Sequence, residues 1–208
     1  EPVTLVLVRH GHTKMTERDL IAGGDGSDPE LSDLGLSDAE SAAKAIPALL
    51  EYFKLPAASA IIHSPMVRTT QTAEIISREI AASVSQDERL REIGFGSWNG
   101  QEMTTISAEK PDFVRSWQGS MSLKPEQGES IDDLVSRISP VIEELCDSHS
   151  GKTVVLVSHM MPVRTIAALS AKGAPSLYWS TNFSPGSVSI VRFFGPEFAE
   201  QFVINSCA

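Results

Sequence analysis

The chain has 208 residues, 41% of them apolar, and a formal net charge of −10. That size suits one large domain or two small ones, with enough apolar content for a packed core. So acidic a chain lacks the basic footprint that nucleic acid or an anionic membrane requires, and an anionic ligand needs a local nest of Arg and His.

No apolar run long enough to span a membrane is visible, and no signal peptide. The chain opens on Glu1-Pro2 rather than Met, which suits a domain cut from a longer protein and equally a processed or trimmed chain. Two cysteines occur, Cys146 and Cys207, the second beside the C-terminus. They argue against a structural disulfide and for a reducing, cytoplasmic setting.

Val3 to Val8 is a continuous apolar, β-branched run and predicts a strand buried on both faces, as in a parallel sheet. Residues 11–35 are polar and glycine-rich and predict a long loop. Ser37-Asp38-Ala39-Glu40 has capping-box spacing and is expected to open a helix carrying Leu36, Ala39, Ala43, Ile46 and Leu50, kinked or restarted at Pro47. Ala60 to His63 predicts a second buried strand, and a helix follows from about Val67 to Ala82. Residues 93–127 lack strand character and predict a small helical insertion. Ser130-Ile131-Asp132-Asp133 caps a further helix with Leu134, Ile138, Val141, Ile142 and Leu145 on one face. Thr153 to Ser158 is a third buried strand, followed by a helix from about Pro162 to Ala171. Two closing strands run from Ser187 to Phe194 and from Phe198 to Ile204. Strands alternating with helices predict a three-layer α/β/α sandwich around a mainly parallel sheet, within a single domain spanning 1–208.

Two histidines share one local setting. His10 follows the first strand, and His159 follows the third and precedes a helix. Ligands of open α/β sheets lie beyond the carboxyl ends of the strands, so both rings would meet in one crevice. The helix start after His159 favours an anion through its free N–H groups. Arg9 stands at the end of the first strand and Arg68 just past the second. A lone strand-end His is more often a satisfied core or surface residue than a catalyst. Two of them, with Arg at two strand ends, make a phosphate pocket of guanidinium forks and imidazole donors.

At this point the residues meet a known pattern. Leu7-Val8-Arg9-His10-Gly11-His12-Thr13 resembles the phosphohistidine motif of the histidine phosphatase superfamily, the phosphoglycerate-mutase-like fold. Ser64-Pro65-Met66-Val67-Arg68-Thr69-Thr70-Gln71-Thr72-Ala73 is similar to its second motif. Leu90 to Gly100, with Glu92, resembles the acid/base segment, and Gly128-Glu129-Ser130 and Val157-Ser158-His159 complete the family order. Closer likeness is to the acid-phosphatase domains of actinobacterial ribonuclease H–acid phosphatase fusions and to α-ribazole phosphatases.

The resemblance implies a phosphomonoester hydrolase for a small metabolite, with neither metal nor other cofactor. It implies that His10 is the nucleophile that becomes phosphohistidine. Arg9, Arg68 and His159 would bind the phosphoryl oxygens, Glu92 would donate the proton, and Thr16 and Met160 would touch substrate. The alternatives within the fold are a phosphoglycerate-mutase-type phosphotransferase and a non-catalytic phospholigand-binding module. The chain is short for such a mutase, and the five residues whose loss marks a degenerate module are all present.

The bland reading suits the remaining candidates. His12 can touch substrate or face water, the second being expected; His63 can line the pocket rim or be structural, again the second; and His149 is expected to be solvated in its polar turn. Trp98, Phe113 and Trp117 are expected to form the core of the insertion rather than a substrate platform, Trp98 lying close enough to Glu92 to serve as both. The loop at 21–32 departs from the family pattern by being longer and more acidic, and Asp25, Asp28 and Glu30 are expected to repel highly anionic substrates at the mouth. Substrate and oligomeric state are open at this stage.

Overall fold

The computed structural model describes residues 1–172 and 177–207. Six strands form one sheet: β1 (Val3–Arg9), β2 (Ala58–His63), β3 (Ser83–Gln86), β4 (Thr153–Ser158), β5 (Val188–Phe193) and β6 (Ala199–Ser206). Their spatial order is β3-β2-β4-β1-β5-β6. The pairs β3–β2, β2–β4 and β4–β1 are parallel, whereas β5 runs antiparallel to both β1 and β6.

Side chains along β1 point alternately to opposite faces, so an unbroken apolar run supplies two cores. Leu5 and Leu7 face Leu134, Ile138 and Val141 of α5 (Ile131–Ser148), together with Val163 and Ile166 of α6 (Met160–Ser170). Val6 and Val8 face Ala43, Ile46 and Leu50 of α1 (Asp33–Tyr52) and Ala73 and Ile76 of α2 (Val67–Glu79). Each fully buried aliphatic side chain contributes about 1.5–3 kcal/mol. The result is the expected α/β/α sandwich. Within the 93–127 segment lie two short helices, α3 (Met103–Glu109) and α4 (Pro111–Gln118), whose Ile106, Val114 and Trp117 join the core on the α5–α6 side.

Several boundaries differ from expectation for identifiable reasons. α1 starts four residues before Ser37, because Ser32 caps it by accepting from the Gly35 N–H. Asp38, assigned by sequence to a capping box, instead accepts from the backbone and ring of His12. α1 also continues through Pro47, whose exposed position lies between buried Ile46 and Leu50. α2 ends at Glu79 because Ile80 turns to extended backbone and leads into β3. β3 has no counterpart in the sequence reading: Ser83-Val84-Ser85-Gln86 is exposed throughout. α6 begins at Met160, with Pro162 in its first turn, where no backbone donor is needed. α5 is capped as expected, with Ser130 and Asp133 bonding reciprocally.

Arg9 at the end of β1 pairs with Ser158 at the end of β4, and the His10 N–H continues the ladder to the Ser158 carbonyl at 3.0 Å. The loop after β1 is pressed against the start of α1. A Cβ on Gly11 would lie 2.2 Å from the Gly35 carbonyl oxygen, and one on Gly35 only 1.9 Å from that of His12. Both positions therefore require glycine, and their contact sets where His10 emerges.

Candidate active site

His10 is 4% exposed. Its Nδ1 lies 2.7 Å from the Gly11 carbonyl oxygen, which can only accept, so Nδ1 carries the proton and Nε2 the lone pair. Arg68 Nε donates to that Nε2 at 3.2 Å. Burial, then the Arg68 and Arg9 guanidiniums, hold the imidazole pKa well below its usual 6.5, so the ring is neutral.

His159 caps α6 at the next strand end and stands edge-on to His10, with ring centroids 5.1 Å apart. Its Nε2 lies 2.8 Å from Ser64 Oγ, whereas Nδ1 is buried without a partner. Burial and Arg68 depress its pKa too. Arg9 donates to the Phe183 carbonyl at 2.6 Å and keeps a buried Nε without an acceptor. Burial lowers its guanidinium to about 10. Each terminal nitrogen of Arg68 gives one N–H to the protein, to Asp28 Oδ1 (3.2 Å) and to the Ala22 carbonyl (3.0 Å), and keeps a second.

Glu92 is 6% exposed and accepts at Oε1 from the backbone N–H groups of Ile93 (2.9 Å) and Met161 (3.2 Å). The proton of its acid form therefore belongs on Oε2. Burial raises its pKa, and the Ile93 N–H, Arg68 and Arg9 only partly oppose that rise. Arg137 of α5 clamps this segment from behind, donating to the Arg91 and Glu92 carbonyls at 2.9 and 3.1 Å. Glu129 joins the clamp by accepting from the Gly94 N–H (2.7 Å) and from Arg137 (3.1 Å). The Gly128-Glu129-Ser130 motif thus serves the orientation of Glu92.

His10, Arg9 and Glu92 open onto a cavity of about 630 Å³, also lined by Thr16, Met160, His12, Trp117, Arg164 and Trp179. Arg68 and His159 back this floor from within the core. Thr16 is in place, with its hydroxyl donating to the Thr13 carbonyl at 2.9 Å. The structure corrects three expectations. His12 does not simply face water: it lines the cavity with Nδ1 2.6 Å from Asp38. Trp117 is core and cavity wall at once, whereas Trp98 packs on Trp117 and Phe113 and does not reach the wall. The acidic loop does not present free charge at the mouth. Asp28 pairs with Arg68 and accepts from the Val67 N–H, Asp25 is held by donors from Phe95, Gly96 and Asn99, and neither these two nor Glu30 lines the cavity. His63 is buried against the Ser64 carbonyl, as expected. His149 lies partly exposed in its turn against Ser148, in keeping with a solvated position.

Arg164 escaped the sequence reading because it lies mid-helix with no motif around it. Trp179 sits on the short α7 (Leu177–Ser180), which carried no sequence signal.

A neutral buried imidazole, two guanidiniums and a protonatable carboxyl, gathered at the carboxyl ends of parallel strands, are the parts that phosphoryl transfer through a histidine requires. The chain belongs to the histidine phosphatase superfamily (branch 1), whose profile it matches over residues 5–205. It is 26% identical over 204 residues to the bifunctional protein Rv2228c of Mycobacterium tuberculosis, covering 98% of this chain and 54% of that one. The chain thus spans about half the length of the first curated relatives it matches. It is 31% identical over 200 residues to the glucosyl-3-phosphoglycerate phosphatase of Mycolicibacterium vanbaalenii, covering 92% and 84% of the two chains. The mycobacterial glucosyl-3-phosphoglycerate phosphatase Rv2419c with VO3 superposes at a TM-score of 0.83 and 25% identity, covering 98% and 99%. No helix among the described residues is long and apolar enough to cross a membrane.

Proposed function

We propose that this chain, as one phosphatase domain, hydrolyses phosphomonoesters of small metabolites through a phosphohistidine on His10, without a metal, and best on the acid side of neutrality. The observation that carries this reading is the tautomer of His10: Nδ1–H is held by the Gly11 carbonyl, which leaves the lone pair on Nε2, facing Arg68 Nε, on a residue that lines the cavity. In the first step Nε2 attacks phosphorus, the N–P bond forms and the ester P–O bond breaks. The departing alkoxide takes the proton from Glu92. Arg9, Arg68 and His159 stabilise the equatorial oxygens, which is most of what phosphoryl transfer asks of a protein. In the second step Glu92, now a carboxylate, deprotonates a water that attacks phosphorus. The N–P bond breaks and inorganic phosphate leaves. The names of the phosphatase relatives and a cavity wide enough for a small metabolite support the substrate class, and the cysteine usage supports a cytoplasmic setting.

The test is acid-labile phosphohistidine trapping with p-nitrophenyl phosphate, followed by peptide mapping. Label on the peptide bearing His10 is expected, and His10→Ala is expected to lose at least three powers of ten in turnover, about 4 kcal/mol of barrier. Substantial activity in the variant would overturn the assignment.

A further inference from the structure

Arg9 reaches the active-site cavity from the end of β1 and donates from Nη1 to the Phe183 carbonyl at 2.6 Å. Among the described residues this is the one hydrogen bond that its side chain makes. The Phe183 carbonyl shares a single planar trans peptide with the Ser184 N–H, so the two point in opposite directions from one rigid unit. The Ser184 N–H donates to Asn205 Oδ1 at 2.6 Å. Asn205 therefore grips the far side of the peptide that receives Arg9. It lies near the end of β6 with a φ of 55°, in the left-handed region that Asn tolerates better than most residues. Its own N–H donates to Ser189 Oγ at 2.9 Å, where the pairing of β5 with β6 shifts register between Val188 and Ile190. The same turn is fastened to the main chain of β1. The Gly186 N–H reaches the Arg9 and His10 carbonyls at 3.0 and 3.1 Å, and the Arg9 N–H reaches the Ser187 carbonyl at 3.2 Å. None of those bonds touches the Phe183–Ser184 peptide, whose N–H the Asn205 side chain holds.

We propose that Asn205 is a positioning residue for the reaction: by fixing the plane of the Phe183–Ser184 peptide it aims the Arg9 guanidinium, whose remaining N–H groups meet the phosphoryl oxygens. This rests on the phosphatase reading above, in which Arg9 holds phosphate. With a single anchor, the guanidinium follows any tilt of that peptide. A misplacement of about 1 Å in a group that meets the reacting centre can cost up to about 10² in rate. An N–H held by an acceptor also polarises the carbonyl of its own peptide, so the bond to Asn205 strengthens the bond to Arg9. Asn meets two demands at this position, a short side chain that accepts a hydrogen bond and a backbone at positive φ. Glycine meets the second alone, whereas aspartate meets both, and that difference separates the backbone from the side chain by experiment.

The experiment compares Asn205→Gly with Asn205→Asp in the whole chain, with p-nitrophenyl phosphate for turnover and orthovanadate as an inhibitor that mimics the phosphoryl group in transfer. Asn205→Gly is expected to lower kcat/KM about twentyfold and to weaken vanadate inhibition by a similar factor, and Asn205→Asp is expected to recover activity to within about threefold of the native protein. Introduced into Arg9→Ala, Asn205→Gly is expected to cost no more than about twofold further, because its effect passes through the guanidinium. A folded Asn205→Gly with native kinetics would overturn the assignment. So would equal losses in the two Asn205 variants, or a full twentyfold loss, about that of the single variant, on top of Arg9→Ala. Should Asn205→Gly fail to fold by circular dichroism, a loss beyond about tenfold in Asn205→Asp would overturn it as well. Absence of native turnover, with no trapped phosphohistidine, would instead bring down the phosphatase reading and this one with it.

Discussion

At the scale of single residues, the site separates two buried acid–base groups by pushing their pKa values in opposite directions. Burial depresses His10 and raises Glu92, so a neutral nucleophile and a protonated acid coexist over an acidic-to-neutral window. Glu92 must hold its proton in the first step, so kcat/KM for an alkyl phosphate is expected to fall as pH rises through its raised pKa. Glu92→Gln should lower alkyl ester turnover by about 10²–10⁴ and affect p-nitrophenyl phosphate much less, since that leaving group departs without a proton. A pH–rate series on both ester types decides it, and an alkyl profile still climbing at pH 9 would count against Glu92 as the acid. His10, Arg9, Arg68 and His159 were legible in the sequence because each sits near the end of a buried strand, whereas Glu92 came only with the resemblance to the family's acid/base segment. Arg164 was not, because a buried cation inside a helix looks like any other helical arginine until the cavity beside it is visible.

At the scale of elements, α5 does more than fill the core. Its Arg137, with Glu129 just before the helix, fastens the carbonyls and amides that flank Glu92. Arg137→Ala is expected to leave phosphohistidine formation from p-nitrophenyl phosphate nearly intact while slowing alkyl esters about tenfold, because the loosened carboxyl meets the leaving oxygen less often. Equal slowing of both ester types in steady-state assays would deny Arg137 a role through Glu92. The elements the sequence revealed were those with buried periodicity: β1, β2, β4 and α5 show the apolar runs or stripes their surroundings impose. β3 hid because it lies at the sheet edge, exposed and polar, and exists by pairing with β2 rather than by burying side chains. The start of α1 was misplaced because two serines precede plausible helical stretches, and only the geometry shows that Ser32 holds the cap.

At the scale of the whole molecule, the same burial that tunes the site ties stability to pH. His10 and His159 stay neutral in the folded protein below 6.5, where the unfolded chain would protonate both. The sign is therefore loss on acidification: full stability above the ordinary histidine range, then a decline of roughly 1.4 kcal/mol per pH unit for each imidazole as pH falls toward the depressed native values. Glu92 acts the other way, since its raised pKa favours the folded state most in acid and that benefit fades as pH rises through it. With two imidazoles against one carboxyl, urea midpoints are expected to drop between pH 6.5 and 5. His159→Gln should remove most of that slope, because the remaining imidazole is then offset by Glu92, and an unchanged slope would mean that the histidines are not what acid attacks.

The placement of charge has a further consequence. The cations that would receive phosphate, half-buried Arg9 and buried Arg68, are set back from the surface, while the chain as a whole carries −10. An approaching dianion therefore feels the acidic exterior before it feels its own site. Added salt screens that exterior over a Debye length of about 10 Å at 0.1 M and reaches the buried guanidiniums far less. Capture should consequently quicken with ionic strength, kcat/KM for an anionic ester rising about two- to threefold between 10 and 150 mM sodium chloride. A steady decline would mean that attraction by the pocket already governs the encounter.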